Sequence, residues 1–207
     1  MDKIRVLLVE DDPDWKKIIE TLLNREEDME LVGYAKTKEE TIRLSNAIKQ
    51  IDVFLIDINL TDNNLDGIYT ALELKDHGNW KMIMLTSIND DEVIKNSFVA
   101  GAVNYVLKKN VCEIPSLIRR LYLEQSPLEI LVKDYCRLKQ EEQLKELTPA
   151  EREVYDLVEK GYTRTEIEKR LVKSENTLKC QIKKILKKLH SPTTKEAVKK
   201  VKSGGLI

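Results

Sequence analysis

The stretch Asp52-Val53-Phe54-Leu55-Ile56-Asp57-Ile58-Asn59 limits the fold of this chain more than any other. Apolar residues run unbroken from Val53 to Ile56, with β-branched and aromatic types among them. That pattern suits a strand buried on both faces, in a parallel sheet covered by helices. Asp57 closes the run. In open α/β sheets ligands bind at the carboxyl ends of the strands, where a carboxylate serves as metal ligand or nucleophile. A helix-capping or turn aspartate is the plainer alternative at such a position.

The flanking sequence repeats the theme. Ile4–Val9 is a second apolar strand, ending in Glu10-Asp11-Asp12-Pro13, where Asp12 suits a helix cap and Pro13 the first helical turn. The helix that follows reaches about Asn24, with Trp15, Ile18, Ile19, Leu22 and Leu23 on one face. Strands are expected at Met29–Tyr34, Lys81–Thr86 and Asn104–Leu107. Helices are expected at Lys38–Gln50 (Ile42, Leu44 and Ile48 facing in), Leu65–His77, Asp90–Ala100 and Cys112–Leu123. Five strands alternating with five helices predict a doubly wound parallel sheet of order 2-1-3-4-5. That order makes strands one and three neighbours at the switch point. Glu10, Asp11 and Asp57 would then converge and need a cation. An all-oxygen set favours a hard ion such as Mg²⁺. Thr86 and Lys108, at the ends of strands four and five, would face an anion across the pocket.

Charge divides the chain. Residues 1–125 hold 16 Lys/Arg against 23 Asp/Glu, a net of −7, and residues 126–207 hold 19 against 13, a net of +6. An acidic half joined to a basic half predicts a metal-binding or regulatory module tied to an anion-binding one. Cys112, Cys136 and Cys180 form no metal spacing, and with two histidines a His/Cys zinc site is not expected. The cysteine usage reads as that of a reduced cytosolic protein. No run approaches membrane-spanning length and the start has no signal-peptide pattern, so the expected location is cytoplasmic, with no membrane partner.

After the fifth helix, Pro127–Leu138 carries apolar residues at helical spacing and Lys139–Glu146 is strongly charged, so a helix fraying into a polar linker is expected. Capping-box patterns at Thr148–Glu151, Thr163–Glu166 and Thr193–Glu196 mark three helix starts, and Ser174 marks a fourth. The helix after Ser174 buries Leu178, Ile182, Ile185, Leu186 and Leu189. Its other face shows Asn176, Lys179, Lys183, Lys184, Lys187 and Lys188. A short helix, a tight turn and a basic amphipathic helix make a helix-turn-helix; a solvated lysine face is the alternative.

The first constellation, Glu10-Asp11, Asp57, Thr86 and Lys108, resembles the receiver domain of bacterial two-component response regulators, over about residues 3–123. The resemblance implies that Asp57 accepts a phosphoryl group from a sensor histidine kinase. It implies that Glu10 (through water), Asp11, Asp57 and the backbone carbonyl of Asn59 hold Mg²⁺. Thr86 and Lys108 would bind the phosphoryl oxygens, with Tyr105 as the switch aromatic. Three features depart from the family pattern. The loop from Asp57 to Gly67 is two residues longer and lacks a proline; Lys109 replaces the proline after the lysine; Ile88 is apolar where many receivers are polar.

The stretches Leu147–Val154, Glu166–Leu171 and Ser174–Lys179 resemble the LuxR-type DNA-binding domain, over about residues 145–203. Together the two halves resemble the NarL/FixJ subfamily: a receiver at 1–124, a helical linker at 125–146 and an all-α, four-helix domain at 147–207. The resemblance implies a homodimeric transcription regulator rather than a metabolic enzyme, one that catalyses only its own phosphotransfer and dephosphorylation. Lys179 and Lys183 would reach DNA, Ser174, Asn176 and Thr177 would lie near phosphates, and Lys187 would be a further phosphate contact. Ala197, Val198 and Val201 of the last helix would pair two chains. Val172 stands where glycine is usual in the turn, which predicts strain or a reshaped turn. An atypical regulator of the same build, driven by a ligand or partner without phosphorylation, is a rival. A phosphatase of the haloacid dehalogenase type is another, but it needs a second aspartate where this chain has Asn59, and it leaves the basic half unexplained.

Overall fold

A computed structural model of the chain describes residues 3–60, 65–78, 80–124 and 127–206. The chain forms two compact units, Met1–Asp134 and Tyr135–Ile207.

The first unit holds five strands, β1 (Ile4–Val9), β2 (Met29–Ala35), β3 (Val53–Asp57), β4 (Lys81–Thr86) and β5 (Asn104–Leu107). They form one sheet of order β2-β1-β3-β4-β5, and every pairing is parallel. All five residues of β3 are buried, as its apolar run predicts for the central strand. On one face Val6, Leu8, Val53, Leu55, Ile83 and Leu85 pack against α1 (Pro13–Leu23) and α5 (Ile114–Leu123). Strand alternation sends Leu7, Phe54, Ile56 and Met84 to the other face, where they are equally buried. The remaining helices are α2 (Lys38–Ala47), α3 (Asp66–His77) and α4 (Asp91–Val99), and a 3-10 turn, Lys108–Glu113, precedes α5.

The helix starts follow the predicted caps. Asp12 accepts from the Asp14 N–H at 2.8 Å, and Asp90 from the N–H groups of Glu92 and Val93. The inward face of α2 differs from expectation. Thr41 and Ser45 are its buried residues, with Ile42 and Leu44 only half-buried. The Thr41 hydroxyl donates to the Thr37 carbonyl and that of Ser45 to the Ile42 carbonyl, so neither is buried unsatisfied.

Loop residues 61–64 lie outside the described residues, but Gly67 behind the loop has a clear reason to be glycine. A β-carbon there would sit 1.9 Å from the Asp57 carbonyl oxygen. No cis peptide bond occurs among the described residues, the Lys108–Lys109 link included.

Helix α6 (Pro127–Leu144) does not fray after Leu138; it continues through the charged stretch, and the division between the two units falls inside it. The segment expected as a linker thus contributes residues to both.

The second unit adds α7 (Pro149–Glu159), α8 (Arg164–Leu171), α9 (Glu175–Lys188) and α10 (Thr194–Lys202). Full capping boxes start α7 at Thr148 and α8 at Thr163. At α10 the Thr193 hydroxyl takes the Glu196 N–H but bonds the Glu196 side chain directly, at 3.0 Å. The core joins Leu144, Val154, Tyr155, Ile167, Leu178, Ile182, Ile185, Leu189, Ala197 and Val201.

Candidate functional site

The sheet order carries β1 and β3 side by side, with Val9 opposite Ile56, so the residues just past them share one edge. Carboxylate oxygens of Glu10, Asp11 and Asp57 come within 4.8 Å of one another there. Glu10 and Asp57 are buried and Asp11 is exposed, which leaves the cluster open to solvent on one side. The donors are all oxygen, as a hard cation requires, and the Asn59 Oδ1 beside β3 is buried with no hydrogen-bond partner among the described residues. The residues present therefore fit an ion such as Mg²⁺.

Lys108 enters from the end of β5. Its Nζ lies 2.9 Å from Asp57 Oδ2 and 2.8 Å from Glu10 Oε2, with the side chain 8% exposed. Burial disfavours the ammonium, but hydrogen bonds to Glu10 and Asp57 outweigh that and hold its pKa above the usual lysine value. Burial pushes Glu10 up to about 7; the Asp57 charge adds to the rise, and Lys108 opposes it. The pocket thus confines two carboxylates at one cation, an arrangement that favours an arriving metal ion over further desolvation.

Trp15 belongs to this pocket, although its spacing reads only as part of the apolar face of α1. The Lys108 ammonium sits 4.8 Å from the centre of its ring, a cation–π distance. Nothing in the sequence signals that contact, because the two residues stand 93 positions apart.

Thr86 is fully buried at the end of β4, and its hydroxyl accepts the Ile88 N–H at 3.1 Å. Tyr105, half-buried, donates its hydroxyl to the Ile88 carbonyl. Both switch-position residues thus bind the same loop residue.

On the second unit, Ser174, Asn176, Thr177, Lys179, Lys183 and Lys187 are all exposed on α9 or its cap. The Ser174 hydroxyl accepts the Thr177 N–H at 3.3 Å, the expected cap. Lys179 pairs with Glu175 one turn back, at 2.6 Å. Two expectations need correction. Lys188 does not join the basic face; its Nζ turns inward to Glu151 Oε2 at 2.6 Å and the Glu146 carbonyl at 3.0 Å. Ala197 and Val201, expected to pair two chains, are 2% exposed and fill the core of their own unit, with Val198 packed against it. Their apolar spacing on α10 is spent within the chain. The turn before α9 keeps its geometry despite lacking glycine: Val172 takes φ 50° and ψ 47° with 91% of its surface exposed.

A parallel five-stranded sheet with an acidic trio and a lysine at its carboxyl edge, followed by a basic helical unit, defines a phosphoacceptor-type regulator. Residues 6–121 match the response regulator receiver domain family. The chain is 32% identical over 200 residues to the response regulator protein VraR of Staphylococcus saprophyticus, with 94% of each chain covered. It is similar in fold to the RcsB response regulator of Salmonella typhimurium, solved in a study of conformational dynamism for DNA interaction; the TM-score is 0.55 and the identity 22%, with both chains covered in full. An RcsB–DNA complex is likewise similar, with a TM-score of 0.53, 22% identity and full coverage of both chains. This chain belongs to the response regulator family of two-component systems.

Proposed function

We propose that Asp57 receives a phosphoryl group from a sensor histidine kinase and that this controls dimerisation and sequence-specific DNA binding by the second unit, to regulate transcription. One observation carries the reading: Glu10, Asp11 and Asp57 meet within 4.8 Å while the Lys108 ammonium faces them. An Asp57 oxygen attacks phosphorus, the bond to the histidine nitrogen breaks, and the phosphoryl group passes to the carboxylate as an acyl phosphate. Glu10, Asp11, Asp57 and the backbone carbonyl of Asn59 hold Mg²⁺, which when bound offsets charge on the transferring oxygens. Lys108 releases one carboxylate and turns its ammonium to a phosphoryl oxygen, and Thr86 supplies a hydroxyl donor from the adjacent strand. Tyr105 reports the rearrangement through its bond to Ile88.

The exposed lysines of α9 support DNA as the target: Lys179 and Lys183 reach base edges or phosphates, Lys187 a phosphate, and Ser174, Asn176 and Thr177 the backbone near the start of the helix. The protein works as a homodimer on two half-sites.

Intact-mass measurement after incubation with acetyl phosphate and Mg²⁺ tests the first step. The wild-type chain should gain one phosphoryl group and Asp57→Asn none. Equal labelling of the variant would remove Asp57 from its role. A wild-type chain that stays unlabelled by donor and kinase alike would favour the atypical regulator, driven by ligand or partner.

A further inference from the structure

Helix α6 carries apolar side chains that its own chain leaves in water. Leu131 is 66% exposed, Leu138 59% and Leu128 36%, and Tyr135 between them is half-buried. Their spacing is three, four and three residues, the seam of a two-stranded coiled coil, with Leu128 and Tyr135 at a and Leu131 and Leu138 at d. Leucine at d is the choice that favours two strands. At the 100° per residue of a helix, this seam lies roughly 130° round from the face that packs within the chain. That packed face is occupied: Glu129 is buried and takes Lys81 Nζ at 2.7 Å, and the Gln140 and Gln143 amides reach the carbonyls of Lys202 and Gly204. The apolar seam therefore has no place to go inside its own chain.

Charge selects the occupant and its direction. Asp134 falls at g and Lys139 at the following e, so two parallel copies bring each aspartate to the other's lysine. An antiparallel pairing would instead set g against g, placing Asp134 and Glu141 of one helix beside the same two acids of the other. Glu142 at the next a position closes the seam after four layers.

We infer that the Leu128, Leu131, Tyr135 and Leu138 face of α6 joins two copies of this chain in a parallel coiled coil. The inference rests on the reading of the protein as a dimeric regulator and names a surface for it, which the buried α10 residues do not provide.

Sedimentation velocity on the full chain, phosphorylated and bound to a DNA duplex with two half-sites, reads the effect. Leu131→Ser with Leu138→Ser should weaken self-association at least about a hundredfold, because four leucines per dimer stay in water. Both positions are exposed, so circular dichroism and phosphoryl uptake should match the wild type. Asp134→Lys and Lys139→Asp should each weaken the dimer, and the two together should restore it. In a background with Cys112, Cys136 and Cys180 changed to serine, Leu131→Cys and Leu138→Cys should cross-link between copies on oxidation. Lys133→Cys, on the outer face of the coil, should not. A serine variant that dimerises like the wild type would overturn the seam and leave the phosphorylation reading standing. A chain that stays monomeric under all these conditions would also overturn it. A chain that takes no phosphoryl group would count against the regulator reading alone, with the cysteine pairs still deciding the seam.

Discussion

Tyr105 donates its hydroxyl to the Ile88 carbonyl across 2.5 Å, while the N–H of the same Ile88 is held by Thr86. Burial, with smaller contributions from Asp90 and Asp57, pushes the Tyr105 phenol up to about 12, so it remains a donor throughout the neutral range. A phosphoryl group on Asp57 adds about −1.5 to −2 charges beside this pair. Turning the Thr86 hydroxyl to meet that charge releases the Ile88 N–H and frees the loop that Tyr105 holds. Thr86→Ala should therefore be phosphorylated to the same extent as wild type, yet gain no DNA affinity on phosphorylation. Gel-shift titration of both forms checks this. Tyr105→Phe should lose roughly 1 kcal/mol of local stability, read as faster amide exchange around Ile88. Unchanged exchange would show that the bond does not restrain the loop.

Val172 holds a left-handed backbone conformation with its side chain almost wholly in solvent. For a β-branched residue that conformation costs about 1–2 kcal/mol, and no packing offsets it. Val172→Gly should stabilise the second unit by roughly 1 kcal/mol, raising its urea midpoint without changing the slope. A lower midpoint would show that the turn does not carry strain.

Glu151 is buried, and its hydrogen bond from Lys188 holds its carboxyl below the usual value of 4.5. A depressed carboxylate stabilises the fold above its unfolded pKa, and that stability is lost as pH falls through the lower folded value. The NMR signals of the Tyr155 ring, in the same core, should therefore lose intensity below about pH 4.5. Lys188→Met should cost roughly 2 kcal/mol at neutral pH and flatten the acid limb. An unaltered acid limb would separate Glu151 from acid unfolding.

The lysines of α9 divide by what they touch. Replacing one phosphate-contacting lysine should reduce the slope of log affinity against log salt by about 0.9. Lys187→Ala should do this on all sequences alike, whereas Lys179→Ala and Lys183→Ala should also alter sequence preference if their ammonium groups reach base edges. Lys188→Ala should leave the slope unchanged, since its charge is used at Glu151. Full affinity in the Lys179→Ala, Lys183→Ala double variant would mark this face as merely solvated.

Much of the first unit was legible because buried strands announce themselves. The Val53–Ile56 run and the turn residues after it specify a central strand and where it stops, and Asn104–Leu107 was readable to the residue. Convergence of Glu10, Asp11 and Asp57 followed once the order of strands was known. Side chains whose partners are distant in sequence were not legible. Nothing along α9 says that Lys188 leaves the basic face for Glu151, 37 residues earlier. The core role of Thr41 and Ser45 was hidden because hydroxyls that bond their own helix can be buried, and a hydropathy pattern cannot register that. Ala197 and Val201 were read correctly as an apolar pair and assigned to the wrong neighbour, since periodicity shows that a face must be covered but not by what.

The chain contains two tryptophans, and only Trp15 lies over the Lys108 ammonium. Trp80 packs edge-on against Phe54, 5.3 Å between ring centres. A cation at van der Waals range alters indole emission, so each displacement of that lysine, by metal or by phosphoryl group, carries its own optical signature. With Trp80 replaced by phenylalanine, the pocket's occupancy becomes readable in real time from the unlabelled protein.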